Sequence, residues 1–343
     1  MMLDAPADTP HWGEVAAQFV QYVGNFAVYG AVGARMVAPR LAHRATGAPG
    51  QFTDWGARGG ARTATIGILG AGIQLGSVLL NAADRAARQH TTVAAVFTGS
   101  APPGGRPGPS LVTPLALISA ALLGFMLARA RVRAGWWLAG AALLATALSA
   151  LPSGKWARLV NPLHILAGGL WLGTLSVLVV AVFPLLLRGD AVGRDPDLRP
   201  GGSRLDAVVR RFSRLALASS ALLVVTGVIT AWRHLGAIDA LWTTPYGWAL
   251  DVKLAIVAAI AALGFYNWRY ATPALSAGSG DARLARASLR EAALGVLVLA
   301  VTAVLVALPA PAEREAHASP AGAGAPGAPS PGHAGNAGPE SSH

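Results

Sequence analysis

The segment Asn161-Pro-Leu-His-Ile-Leu-Ala-Gly-Gly-Leu-Trp-Leu-Gly173 places one imidazole, His164, inside an apolar run long enough to span a bilayer. An ionisable side chain at that depth is costly, faces the interior of a helix bundle and marks a route for ions, protons or electrons. Neutral imidazole ligates several transition metals, so the chemistry open to His164 is metal ligation, haem ligation or proton relay. On a helix, His164, Gly168, Trp171 and Leu175 recur at i, i+4, i+7 and i+11 and share a face. Gly169 and Gly173 form a G-x-x-x-G, which reads first as a close-packing device.

Other polar residues fall at the same depth. His234 ends a later apolar run, preceded at helical spacing by Thr226 and Thr230, whose hydroxyls can bond the preceding turn or reach another helix. Asp251 and Lys253 lie about 6 to 9 Å inside the next run at 1.5 Å per residue. Glu14, Gln18, Gln21 and Asn25 make a polar stripe on the first run. Each has a plainer reading. Lys253 can snorkel to headgroups with Asp251 as partner, His234 can be solvated at the interface, and the Glu14 stripe can be interhelical glue. Met36 and Met126 offer soft ligands for Cu(I), although core methionines are the simpler account.

The elements that must carry these residues follow from composition. The 343 residues are 53% hydrophobic and 13% charged, with mean hydropathy +0.48. Repeated apolar runs approach the roughly 20 residues that cross a bilayer. The reading is an all-α polytopic membrane bundle of eight helices, at Trp12–Val37, Thr63–Ala82, Val112–Ala128, Gly135–Leu151, Leu159–Leu187, Phe212–Leu235, Gly247–Trp268 and Glu291–Leu308. The first residues are acidic, with Asp4 and Asp8 and no basic n-region, so the first run is expected to be a span and no cleaved signal. Thr91–Thr98 is apolar but too short to cross. Two membrane halves, 1–151 and 159–309, precede an Ala/Gly/Pro/Ser-rich tail over 310–343, expected to be disordered and extracytoplasmic. Gln21 and Gly30 are nine apart, as are His164 and Gly173, a faint echo of a four-plus-four duplication.

The charge of +11 sits in short loops, where arginine sets orientation; no recognition motif supports nucleic-acid binding. Nineteen arginines follow the odd-numbered spans and seven Lys/Arg the even ones, with Lys253 inside a helix. This places both termini outside the cytoplasm. Trp12, Trp156, Trp232, Trp242 and Trp248 then form an outer belt, and Trp136, Trp137, Trp268 and Tyr270 an inner one. The absence of cysteine excludes disulfides, thiolate metal sites and c-type haem attachment.

The run Phe212-Ser-Arg-Leu-Ala-Leu-Ala-Ser-Ser-Ala-Leu-Leu-Val-Val-Thr-Gly227, then Leu241-Trp-Thr-Thr-Pro-Tyr-Gly247 and a helix holding Lys253 and Asn267, resembles the copper resistance D family of bacterial inner-membrane proteins. The His164 to Gly173 segment is similar to the helix preceding that domain, and the resemblance spans about Leu159 to Leu308. It implies copper homeostasis, movement of copper across the cytoplasmic membrane, and a periplasmic partner of the copper resistance C type. Dense His/Met motifs, which would capture external copper tightly, are missing; the tail holds only His317, His333 and His343.

The resulting expectation is a bundle that binds copper in the outer leaflet through His164 and His234, with Glu14, Asp251, Lys253 and Trp171 as supporting residues. It transfers copper by ligand exchange, with no covalent step, and is therefore not an enzyme. A b-type haem protein with His164 and His234 as axial ligands is the rival of another class, and a partner-binding assembly subunit is the third.

Overall fold

The computed structural model describes residues 12–38, 51–100, 108–149, 159–185, 204–235, 238–266, 269 and 281–308. The tail, Lys155, Trp156, Arg158, Asn267, Trp268, Tyr270 and the arginines at 40, 44, 188, 194 and 199 lie outside them. The described residues are helical, with no strand. The long helices are α1 (Trp12–Val37), α2 (Gln51–Arg88), α4 (Val112–Arg129), α5 (Ala134–Leu148), α6 (Val160–Leu185), α7 (Arg204–Leu235), α9 (Pro245–Tyr266) and α10 (Asp281–Ala307). The short α3 (Val93–Thr98) and α8 (Ala240–Thr243) are surface turns of helix.

Among the described residues, five helices are long and apolar enough to cross a membrane: the Arg58–Arg88 part of α2, then α4, α6, the Ala207–Leu235 part of α7, and α9. α5 and the Ala293–Ala307 part of α10 are shorter apolar helices. α1 is long, but Glu14, Gln18, Gln21 and Asn25 dilute its hydropathy. The start of α1 is as expected, while α2, α7 and α10 extend beyond the apolar runs, because a helix continues through polar residues once propagation adds a backbone hydrogen bond per residue.

Helix directions follow from which residues meet. Asn25 Oδ1 accepts from Gln74 Nε2 at 2.7 Å and Val28 packs on Gly70, so α1 and α2 are antiparallel. Thr65 meets Arg129 and Gly67 meets Phe125 between α2 and α4; Gly124 meets Ala139 and Gly135 meets Ala128 between α4 and α5. Both pairs are antiparallel. Along α1 and α6, Phe26 meets Gly168, Tyr29 meets Gly169, Gly30 meets Gly173 and Gly33 meets Thr174, so these two helices run the same way. α7 returns along α6, with His164 against Thr226 and Gly168 against Leu223.

The α1–α6 crossing is the structural centre. A Cβ on Gly30 would strike the Gly173 backbone, one on Gly173 would strike the Phe26 carbonyl, and one on Gly169 would sit 2.6 Å from Tyr29 Cβ. The G-x-x-x-G is therefore a packing surface, and its partner is the first helix. Below it Ala34, Val37, Val177, Leu178, Ala181, Val182, Val208 and Val209 pack as one cluster across α1, α6 and α7. α6 carries two π turns, Gly169–Gly173 and Leu178–Val182, so its face rotates relative to an ideal α-helix. Thr174, fully buried between them, keeps a hydroxyl with no hydrogen-bond partner, pressed on Gly33.

Candidate functional site

His164 lies just over one turn into α6, half-buried. Its Nδ1 is 3.0 Å from Thr226 Oγ1 on α7. Thr226 is 4% exposed, and its hydroxyl lies 2.7 Å from the Leu222 carbonyl one turn back. A hydroxyl has one proton. With that proton given to Leu222, Thr226 can only accept, so His164 Nδ1 carries the hydrogen. The same hydroxyl lies 3.2 Å from the Leu223 carbonyl, a second acceptor for its proton within α7. Nε2 is left with its lone pair, the state in which imidazole binds a metal.

The ring also needs room, which Gly227 supplies: a Cβ there would lie 3.2 Å from His164 Cε1. Lys253 on α9, half-buried, is close enough for its charge to act on His164. Asp251 is exposed on another face of α9, as a two-residue offset on a helix dictates. The described residues contain no cluster of three or more His, Cys, Asp or Glu able to enclose an ion.

His234 sits elsewhere. It is two turns beyond Thr226 on α7, about 12 Å along the axis. Its Nδ1 donates to the Thr230 carbonyl at 2.8 Å, and its ring stacks on Tyr246 with centroids 6.2 Å apart and planes 10° from parallel. Each imidazole therefore has its own partners, Thr226 for His164 and, two turns on, Thr230 and Tyr246 for His234. Glu14 is exposed near the start of α1, within electrostatic reach of Arg88 rather than of His164. Trp171 packs with Leu172, Phe26, Ile256, Ile260 and Val298 toward α9 and α10. The π turn beginning at Gly169 breaks the i, i+7 register that an ideal helix would have given it with His164. Met36 and Met126 are 59% and 49% exposed, on helix exteriors.

The Thr-Pro-Tyr-Gly turn beneath His234 is built residue by residue. Thr244 is the extended cap of α9, its hydroxyl accepting from the Gly247 N–H at 3.0 Å and donating to the Ala240 carbonyl at 2.6 Å. Pro245 takes the first helical position, where its missing N–H costs nothing. Tyr246 provides the stacking face, and Gly247 lies against the Ala240 and Leu241 carbonyls, where a Cβ has no space.

Residues 206–305 match the family of copper resistance protein D. The matched stretch holds Thr226, His234, the Thr-Pro-Tyr-Gly turn and Lys253, and stops short of α6 and His164 on its N-terminal side. The copper transport protein CutJ of Bacillus subtilis (strain 168) is 29% identical over 155 residues, 45% of this chain and 26% of the relative. The chain thus spans about a quarter of the length of that curated relative. No solved structure matches. These findings give the second half of the chain a similarity to the copper resistance D family, as the resemblance of that half implied, on a chain whose described residues include apolar helices long enough to cross a membrane.

Of the contacts above, the Thr226 bond was open from sequence as one of two options for a buried threonine. The space at Gly227 had no signal, because a glycine in an apolar helix reads as packing.

Proposed function

We propose that this protein carries copper ions across a bacterial cytoplasmic membrane, with His164 Nε2 as a ligand on the way. The observation that carries the reading is the 3.0 Å contact of His164 Nδ1 with Thr226 Oγ1, which holds the imidazole from within the stretch that matches the copper resistance D family. The name of the Bacillus relative, a copper transport protein, agrees with it. A site with one imidazole and, among the described residues, no enclosing group of three or more His, Cys, Asp or Glu binds weakly and releases readily, which suits transit better than storage. Ligand exchange needs no bond-making in the protein, so the protein is not an enzyme in this reading. Lys253, beside His164, keeps a second cation from lodging there and tunes passage. His234, stacked on Tyr246, serves as a separate outer ligand position.

In the proposed topology eight helices cross the membrane, α1, α2, α4, α5, α6, α7, α9 and α10, with both termini in the periplasm. The parallel course of α1 and α6 supports this, since four crossings separate their starts. A periplasmic copper-binding protein of the copper resistance C type is the expected donor or acceptor at the outer end.

Two measurements test these points. Full-length protein in sealed proteoliposomes should move copper down an imposed gradient faster than empty vesicles, and the purified protein should show no haem absorbance. Uptake equal to empty vesicles, or a Soret band at stoichiometric intensity, sinks the transport reading. For topology, cysteines introduced singly at Ser100 and Ser319 should react with an impermeant thiol reagent in intact cells, and one at Ser203 should not. Reaction at Ser203 alone would invert the arrangement.

A further inference from the structure

At the end of α1 opposite Trp12, two arginines, Arg35 and Arg133, lie within electrostatic reach of one another. Arg35, in the last turn of α1 and half-buried, places its guanidinium 5.9 Å from the centroid of the Trp136 ring. Trp136 is held edge-on against buried Phe125, with centroids 6.0 Å apart and planes at 84°, so the floor under Arg35 is fixed. Arg133 precedes α5, three residues before Trp136 and on its side of the helix, close enough for its charge to act on Arg35. Neighbouring arginines find protein acceptors: Arg129 Nε donates to Thr65 Oγ1 at 3.1 Å and Arg211 to the Val37 carbonyl at 3.5 Å. Arg88 pairs with Asp84 at the far end of α2.

Two guanidinium groups held together repel unless an anion lies between them, and the planar fork of arginine matches a phosphate oxyanion. The surroundings favour a phosphate that carries acyl chains over a free one. Trp137, adjacent to the floor, is 80% exposed, and Met36 and Met126 are exposed at the same end. A tryptophan there sits at headgroup level. We propose that Arg35, over the Trp136 ring, and Arg133, at the start of α5, form a binding site for the headgroup phosphate of an anionic phospholipid. The site is separate from His164 and independent of the copper reading.

Native mass spectrometry of the full chain in detergent, loaded with phosphatidylglycerol or phosphatidylcholine, tests it. The parent should retain phosphatidylglycerol about 25-fold better than phosphatidylcholine, each of the two arginines near an anionic headgroup contributing roughly fivefold. Arg133→Gln, an exposed change with no packing consequence, should lose about fivefold of that preference. Arg35→Lys, which keeps charge and loses the fork, should lose a smaller part, and Arg88→Gln should lose none. Equal retention of the two lipids, or parent-level preference in Arg133→Gln, overturns the site. Displacement of phosphatidylglycerol by an equal concentration of inorganic phosphate would make the ligand a free anion and overturn the lipid assignment.

Discussion

Replacement of His164 by Ala is expected to abolish copper transport in proteoliposomes while leaving the folded protein in the membrane at near-parent level. The imidazole is half-buried and its lost hydrogen bond goes to a threonine that already donates to Leu222, so removal leaves no unsatisfied buried donor. Thr226 separates ligation from mere packing. Thr226→Val keeps the β-branched shape and removes the acceptor for Nδ1–H, and should weaken copper binding about tenfold, as loss of a second-layer partner of a metal histidine commonly does. Thr226→Ser keeps the hydroxyl and should restore it. An isotherm for Cu(I) by competition with a chromophoric chelator reads all three. Parent-like binding in His164→Ala removes His164 from the path, and parallel loss in Val and Ser variants assigns Thr226 to packing. Lys253→Met should alter the rate of passage more than Lys253→Arg does, since only the first removes the charge beside His164.

Gly30→Val and Gly173→Val should each abolish accumulation of folded protein, and even the Ala variants should lower the unfolding midpoint in detergent. At both positions the new Cβ would overlap backbone atoms of the facing helix, which cannot rotate away as a side-chain tip would. Overpacking of this kind costs about 1–3 kcal/mol where the surroundings give way, and more where backbone blocks it. Gly72→Ala and Gly76→Ala, on the same scale of change, meet nothing within 4 Å and should be neutral or slightly stabilising. If Gly173→Ala matches Gly72→Ala in a thermal shift assay, the α1–α6 crossing is not the close contact described.

This contrast explains why the first half of the chain matters to a site in the second. His164 sits on the helix that Gly169 and Gly173 anchor to α1, less than two turns from the crossing. A shift of α6 along α1 would carry the imbalance to His164 and Thr226, whose bond requires both helices in register. His164 and Gly169, five residues apart on the helix, already face different neighbours, α7 and α1, and the π turn over Gly169–Gly173 is the stretch packed on α1.

The sequence by itself determined the class of the protein and most of its helices. Apolar runs near 20 residues admit few structures in a membrane, since every backbone polar group must be satisfied within the segment. For the same reason α1 was legible from its first residue to its last, and α4, α6 and α9 to within a few residues. The Thr-Pro-Tyr-Gly turn was legible too, because capping chemistry is local. The tertiary structure alone decided which faces meet. Periodicity placed Trp171 beside His164, but the π turn sent it toward α9 and α10. Equal depth suggested that His164 and His234 share a site, yet His164 meets α7 at Thr226, two turns before His234, and each ring is held by a different partner. Glu14 and Asp251 ended exposed, because hydrogen bonds between α1 and α2 fall on Asn25 and Gln74 and because Asp251 and Lys253 cannot face the same way. A side chain's element is written in the local sequence; its neighbour is set by how two surfaces fit, and that depends on residues far apart in the chain.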